Sequence, residues 1–162
     1  MMEPVFIIQQ NLAHCEAAED VFLDKLVNSQ AIGLVQEPYL RKNKIKKPPG
    51  YSVIYKANSM SRACIYLPTN INAWLVHATR DLVAILIGNQ AKGVIITSSY
   101  HDGNLKPHEF SLELDLVMEY TTQGQHQALF GMDSNAHSIL WGPHDKPDER
   151  GSALEDRKST RL

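Results

Sequence analysis

The stretch HQALFGMDSNAHSILWG, residues 126–142, decides how this chain is read. An apolar run, Ala128, Leu129 and Phe130, gives way to Asp133, Asn135 and His137, three polar groups at alternate positions. A short apolar run with that ending reads as a buried strand that comes out at a rim. In extended backbone, residues two apart point to the same side. Asp133, Asn135 and His137 are therefore expected to face one pocket, with Met132 and Ser134 facing away.

Three other segments end the same way. Val5–Ile8 is a β-branched and aromatic run, read as a buried strand, that stops at Gln10 and Asn11. AIGLVQEP (31–38) reads as a second buried strand ending at Glu37, because Pro38 cannot continue a central ladder. GVIITSSY (93–100) ends at Tyr100, with His101 next. If these ends meet, one rim holds Glu37, Asp133, Asn11, Asn135, His101, His137 and Tyr100. A carboxylate with water and phosphate oxygens suits Mg²⁺, which keeps several waters and rarely has an all-protein cage. A second carboxylate can orient or deprotonate an attacking water. Amide and phenol donors can hold phosphate oxygens as charge develops. The set fits metal-assisted phosphodiester hydrolysis better than acyl transfer, and neither a serine nucleophile elbow nor a P-loop glycine pattern is present. Each residue also has a purely structural alternative. Asn11 is a turn former, Glu37 a solvated strand end, Asp133 and Asn135 an Asx-type turn, His137 and Trp141 packing groups, and Tyr100 a core residue.

The remaining segments give the architecture. CEAAEDVFLDKLVNS (15–29) carries Ala18, Val21, Phe22 and Leu26 at helical spacing. Residues 38–50 form a loop with Pro48, Pro49 and Gly50. YSVIYK, RACIYLP, AWLVHA and LVAILIG then crowd together as short strands before GVIITSSY. KPHEFSLELDLVMEYTTQG (106–124) is helical, with Phe110, Leu114, Val117 and Tyr120 or Thr121 on one face and Gly124 ending it. Ser152 and Glu155, at capping-box spacing, are expected to start a last helix. The order is strand, helix, strand, a run of strands, helix, strand. That is not a strict βαβ alternation, and it predicts an α+β fold of packed sheets with helices outside.

A chain of 162 residues predicts a single domain spanning 1–162 with a sizeable core. With 43% hydrophobic and 21% charged residues it reads as globular. A net charge of −2 gives no global basic field, so any nucleic-acid contact must come from a local patch. RKNKIKK supplies one, with Arg41, Lys42, Lys44, Lys46 and Lys47 just after Glu37. Such a run raises affinity through phosphates without reading bases. Cys15 and Cys64 have no metal-type spacing and read as reduced intracellular thiols. No signal peptide or membrane-spanning stretch is evident.

QQN at 9–11, VQEP at 35–38, SRACIYLP at 61–68, SSYH at 98–101 and DSNAHSILWG at 133–142, followed by RGSALED at 150–156, occur in this order. In these segments the chain resembles the endonuclease/exonuclease/phosphatase superfamily, and most of all the endonuclease domain of non-LTR retrotransposons. The resemblance implies a four-layer α/β/β/α sandwich. It implies a Mg²⁺- or Mn²⁺-dependent endonuclease that nicks double-stranded target DNA in the nucleus to prime reverse transcription. It makes Glu37 and Asn11 the metal-site residues and Asp133, Asn135, Tyr100, Asn11 and His137 the catalytic set. Arg62 and Arg150 join Arg41, Lys42 and Lys44 at the DNA face. The family continues past this sequence with more strands, a final Ser-Asp-His segment whose histidine meets the scissile phosphate, and in the parent polyprotein a reverse transcriptase. On the resemblance, the second sheet is incomplete, the strand at 126–133 is left with an open edge, and the form is expected to be impaired or inactive. Two other readings stay open: a non-catalytic retroelement remnant that binds nucleic acid, and a phosphoesterase acting on lipid or small phosphate esters.

Overall fold

Strand β2 (Ile32–Gln36) is buried along its whole length, and its side chains serve two different cores. Ile32 and Leu34 point one way, Val35 and the preceding Ala31 the other. Strand β4 (Ala63–Pro68) does the same, with Ile65 and Leu67 on one side and Cys64 and Tyr66 on the other. A strand covered on both faces must lie inside a stack of layers.

The computed structural model describes residues 5–89, 91–137 and 146–159. One sheet has the order β1-β2-β4-β3, with β1 at Ile7–Asn11 and β3 at Tyr51–Ile54. The other has the order β5-β6-β7-β8, at Ala73–Ala78, Leu82–Gly88, Gly93–Tyr100 and Gln127–Asp133. Strand β1 runs parallel to β2, and β7 parallel to β8; the other neighbours are antiparallel.

Three cores alternate with these sheets. Helix α1 (Glu16–Ser29) buries Phe22, Leu23 and Leu26 against the outer face of the first sheet. Between the sheets lie Ile32, Leu34, Ile65, Leu67, Val83, Ile85 and Ile96. On the far face, Leu82, Ala84, Leu86 and Ile95 meet Leu114 and Val117 of helix α2 (Pro107–Gln123). Helix α3 (Glu149–Ser159) contributes Leu154 to that core. The result is the expected four-layer α/β/β/α sandwich. Gly33 lets α1 approach closely, since a Cβ there would sit 3.0 Å from both Phe22 and Leu26.

Several local expectations are corrected. Strand β1 begins at Ile7, and Val5 and Phe6 are 57% and 62% exposed, because their neighbour β2 starts only at Ile32. Val21 on α1 faces solvent, and Glu19 is buried in its stead beneath the hydroxyl of Tyr66, which donates to it at 3.3 Å. On α2 the buried residue is Thr121 and Tyr120 is exposed; nothing is described for the Phe110 side chain. Helix α3 starts before Ser152. Asp148 caps it, its carboxylate accepting the Gly151 N–H at 2.7 Å and its carbonyl the Ser152 N–H at 3.1 Å. An aspartate just outside the helix competes better for the free first-turn N–H groups than a serine already inside it. Trp141 lies outside the described residues.

Among the described residues β8 is an edge strand, with Leu129 39% exposed, and α2 presents Leu112, Leu116 and Tyr120 to solvent. Both cysteines are free thiols, Cys15 exposed and Cys64 buried. Among the described residues no helix is long and apolar enough to cross a membrane.

Candidate active site

Parallel pairing carries the ends of β1 and β2 out together, with Asn11 in register with Gln36, and those of β7 and β8, with Tyr100 in register with Asp133. The two rims meet across the sandwich at one side chain. Asn11 Oδ1 accepts the Ala13 N–H at 2.7 Å, which turns its amide nitrogen the other way. That nitrogen donates to Glu37 Oε2 at 2.9 Å and to Asp133 Oδ2 at 2.7 Å. Two carboxylates from different sheets thus share one neutral donor.

Glu37 is held from both sides. Its N–H donates to the Arg62 carbonyl at 2.8 Å, and its carbonyl accepts the His14 N–H at 2.8 Å. His14 Nδ1 lies 2.9 Å from the Pro38 carbonyl, so that nitrogen carries the proton, and Nε2 lies 3.6 Å from Glu37 Oε1. Ala13, His14 and Glu37 all have left-handed backbone, with φ of 48°, 54° and 48°. Non-glycine residues adopt it at a cost, and such residues gather where a site must be held in one geometry.

A buried polar chain behind the rim sets the position of one sheet on the other. The fully buried Gln36 amide donates to Ser98 Oγ and to the Gly131 carbonyl, each at 3.0 Å. Gln9 donates to Gln36 Oε1 and to the Met132 carbonyl, each at 3.1 Å, and Ser98 donates to the Val35 carbonyl at 2.9 Å. Gly131 permits the approach, since a Cβ there would lie 2.6 Å from Leu34 Cδ1. None of these roles was foreseen. The signals available were a glutamine ending an otherwise apolar buried run and the serine pair in GVIITSSY. His14 sits in a loop and gave no signal at all.

Tyr100 lies beneath the Arg62 guanidinium, whose carbon is 4.8 Å from the ring centroid. Burial, then the nearby Glu37 charge, raises the Tyr100 phenol above its ordinary value, so it remains a protonated donor. Arg62 is itself engaged, with Nε and Nη2 on Asp81 at 2.6 and 2.8 Å and Nη1 on Asp102 at 2.9 Å. Burial pushes the Asp81 carboxyl up, but the Arg62 and Arg80 hydrogen bonds bring it below the usual range. Arg150 donates to the Asp102 carbonyl at 3.0 Å. The Arg62 and Arg150 side chains are 17% and 14% exposed, so both brace the rim from behind and neither projects as a free surface cation. Three acidic residues in neighbouring turns, unnoticed in the sequence, draw them in.

The alternating-side picture of residues 133–137 is corrected. Strand β8 ends at Asp133, and Asn135 has φ of 44°. Asn135 N–H donates to Asp133 Oδ1 at 3.3 Å, an Asx-type turn, and its amide donates to the His101 carbonyl at 2.8 Å. His137 lies against the start of α3: its N–H donates to Asp148 Oδ1 at 3.2 Å, and its carbonyl accepts the Asp148 N–H at 3.0 Å. His101 is 2% exposed, and its N–H donates to the Asp133 carbonyl at 2.8 Å. Burial lowers its imidazole to about 4, so it is neutral near pH 7.

Past β2 the basic run folds into a tight hairpin. Arg41 and Lys44 exchange backbone bonds at 2.9 and 3.1 Å, with Lys42 and Asn43 in left-handed conformation at the tip. Ile45 anchors it in the α1 core, and Arg41, Lys42 and Lys44 are exposed. Lys46 instead reaches Asp20 at 2.5 Å.

A divalent ion fits this rim. Glu37 and Asp133 lie close together, and among the described residues neither forms an ion pair with lysine or arginine. Also among the described residues, no three His, Cys, Asp or Glu side chains converge as a protein-only cage. A hard ion that keeps its waters and takes one or two carboxylates suits such a donor set.

No protein-family model and no curated protein matches the sequence. Solved structures do. The endonuclease domain of TRAS1, a telomere-specific non-LTR retrotransposon, is similar at a TM-score of 0.76 and 24% identity, over 97% of this chain and 70% of that one. D. rerio TDP2 complexed with a single-strand DNA product gives 0.57 and 11%, over 83% and 62%. The human Nocturnin catalytic domain with bound sulfate gives 0.57 and 13%, over 83% and 66%. These likenesses give the fold: the chain shares the four-layer sandwich of these proteins.

Proposed function

We propose that this chain is a divalent-metal-dependent DNA endonuclease domain of the retrotransposon kind, hydrolysing a phosphodiester at the rim where Asn11, Glu37 and Asp133 meet. One observation carries the reading: a single amide bridges two carboxylates from two sheets, beside a protonated phenol, in a fold shared with a retrotransposon endonuclease.

Glu37 would hold the ion, with Asn11 fixing where its carboxylate stands. A Mg²⁺ or Mn²⁺ ion there supplies charge stabilisation on the phosphate oxygens and a more acidic water. Asp133 orients the attacking water and accepts its proton. Its backbone is fixed by His101 and its side chain by Asn11 and the Asn135 N–H, so little reorganisation is needed as the water attacks. Tyr100, kept protonated and braced by Arg62, donates to a phosphate oxygen. The exposed Arg41, Lys42 and Lys44 hairpin, four residues past Glu37, lies along the DNA backbone. A duplex target fits this basic edge better than a lipid or small phosphate ester does.

The test is nicking of supercoiled plasmid with Mg²⁺. Nicking by wild type that chelator abolishes, and that Glu37→Ala or Asp133→Ala each reduces at least a hundredfold, the scale of losing a positioned catalytic group, is the result that supports the reading. Salt-dependent DNA binding without nicking would instead make the chain a binding module.

A further inference from the structure

We propose that a pocket adjoining the rim receives one nucleobase of the strand being cut; the inference rests on the phosphodiester-cleaving reading of the neighbouring site. The pocket has a volume of about 330 Å³ and is lined by His14, Tyr39, Leu40, Met60, Arg62 and Arg80. That size is at the small end of ligand pockets.

Two lining residues are shared with the rim. His14 stands 3.6 Å from Glu37, and Arg62 stacks on Tyr100 at 4.8 Å. A phosphate held at the rim therefore places its adjacent nucleoside at the pocket mouth. The lining chemistry suits a base. Tyr39, Leu40 and Met60 offer an aromatic face, an apolar wall and a polarizable thioether, Arg62 and Arg80 offer guanidinium planes, and among the described residues no carboxylate lines the cavity. Asp81 fixes both arginines from behind, bonding Arg80 at 3.1 and 3.3 Å as well as Arg62. Bases stack on aromatic and guanidinium faces without sequence preference, because every base has a π-face.

Met60 is the telling residue. It is 70% exposed, yet its loop is knotted in place. Ser59 and Ser61 both donate to the Lys56 carbonyl, at 2.7 and 2.9 Å, and their hydroxyls meet at 3.0 Å. Asn58 takes left-handed backbone, with φ of 58°, to close the loop. A large apolar side chain held out by a fixed loop is a contact surface, and methionine adapts to varied shapes.

The experiment uses DNA in which each position around the cut is replaced in turn by an abasic residue or by the fluorescent base 2-aminopurine. The proteins are wild type, Met60→Ala and Tyr39→Ala/Met60→Ala, each melted first; Met60→Ala removes only exposed surface and keeps the test valid if the double variant unfolds. On wild type, removing the base at one position beside the cut is expected to lower kcat/KM about tenfold. The pocket variants are expected to lose a similar factor on intact DNA and to show little further abasic penalty. A full-sized penalty in the variants, or no position-specific penalty in wild type, overturns the pocket while leaving cleavage standing. If no substrate is cut, 2-aminopurine quenching in chelator that Met60→Ala weakens keeps the pocket and overturns the cleavage reading. Absence of both cutting and quenching overturns both.

Discussion

Replacing Asn11 by aspartate keeps the shape of the side chain and reverses what it offers Glu37 and Asp133. The wild-type amide donates to one carboxylate at 2.9 Å and to the other at 2.7 Å. Hydrogen bonds to charged groups are worth about 1.5–3 kcal/mol each. Glu37 is 22% exposed, so the lower end applies, and losing two such bonds costs roughly 3 kcal/mol. A third negative charge in the same contacts adds about 1 kcal/mol, kept small by solvent screening at a part-exposed rim. A total near 4 kcal/mol lowers Tm by roughly 8–16 °C in a domain of this size. The assay is thermal melting in chelator at about pH 8, with Asn11→Leu beside it to remove the donors without adding charge. Asn11→Asp is expected to melt about 2–4 °C below Asn11→Leu in chelator, and to regain more stability than either Asn11→Leu or wild type on adding Mg²⁺. If Asn11→Asp melts within about 2 °C of wild type in chelator, the amide does not bridge the two acids. If the aspartate and leucine variants behave alike with and without metal, charge is not what the site balances.

Three further outcomes follow from other parts of the molecule. His101 is buried with its imidazole lowered to about 4, so below its ordinary value the unfolded chain takes up a proton that the native state refuses. Stability is unaffected above about pH 7 and should fall by about 2 kcal/mol on going down to about pH 5, read from urea midpoints. The uncharged His101→Gln should flatten that fall. Gly131→Ala would put a methyl 2.6 Å from Leu34 Cδ1, forcing the sheets apart; it should cost about 1–3 kcal/mol and depress nicking more than DNA affinity. Neutralising Arg41, Lys42 and Lys44 together should cut the log–log salt slope of DNA binding by about 2–3 while leaving Tm within about 2 °C, since all three are exposed. An unchanged slope would exclude the hairpin from the interface.

The layers were legible because strands such as β2 and β4 must satisfy two cores, which produces short, continuous apolar runs with little polar relief. The meeting of Glu37 and Asp133 was legible for a related reason. Both close apolar runs in the sequence, although β8 proves to be a partly exposed edge strand, and parallel neighbours deliver such ends to a common rim. What stayed hidden depends on partners remote in sequence. Arg62 reads from the sequence as a free cation at the DNA face, because nothing near it in the chain announces its ion pairs with Asp81 and Asp102. Glu19 and Val21 exchanged places because the Tyr66 hydroxyl, 47 positions away, offers the carboxylate a donor. For Asn135 both the extended and the Asx-turn reading stay open in the sequence, since a side chain's preference for its own turn is not separable from strand continuation by spacing alone.

The bridging amide also gives the protein a built-in timing. Asn11 and Glu37 leave the ribosome early, whereas Asp133 follows only after both sheets have been made, so a nascent chain carries half a constellation that nothing yet completes. Whatever chemistry the rim performs stays latent until β8 docks, and any slippage between the layers in the mature molecule switches it off again well before the chain as a whole lets go.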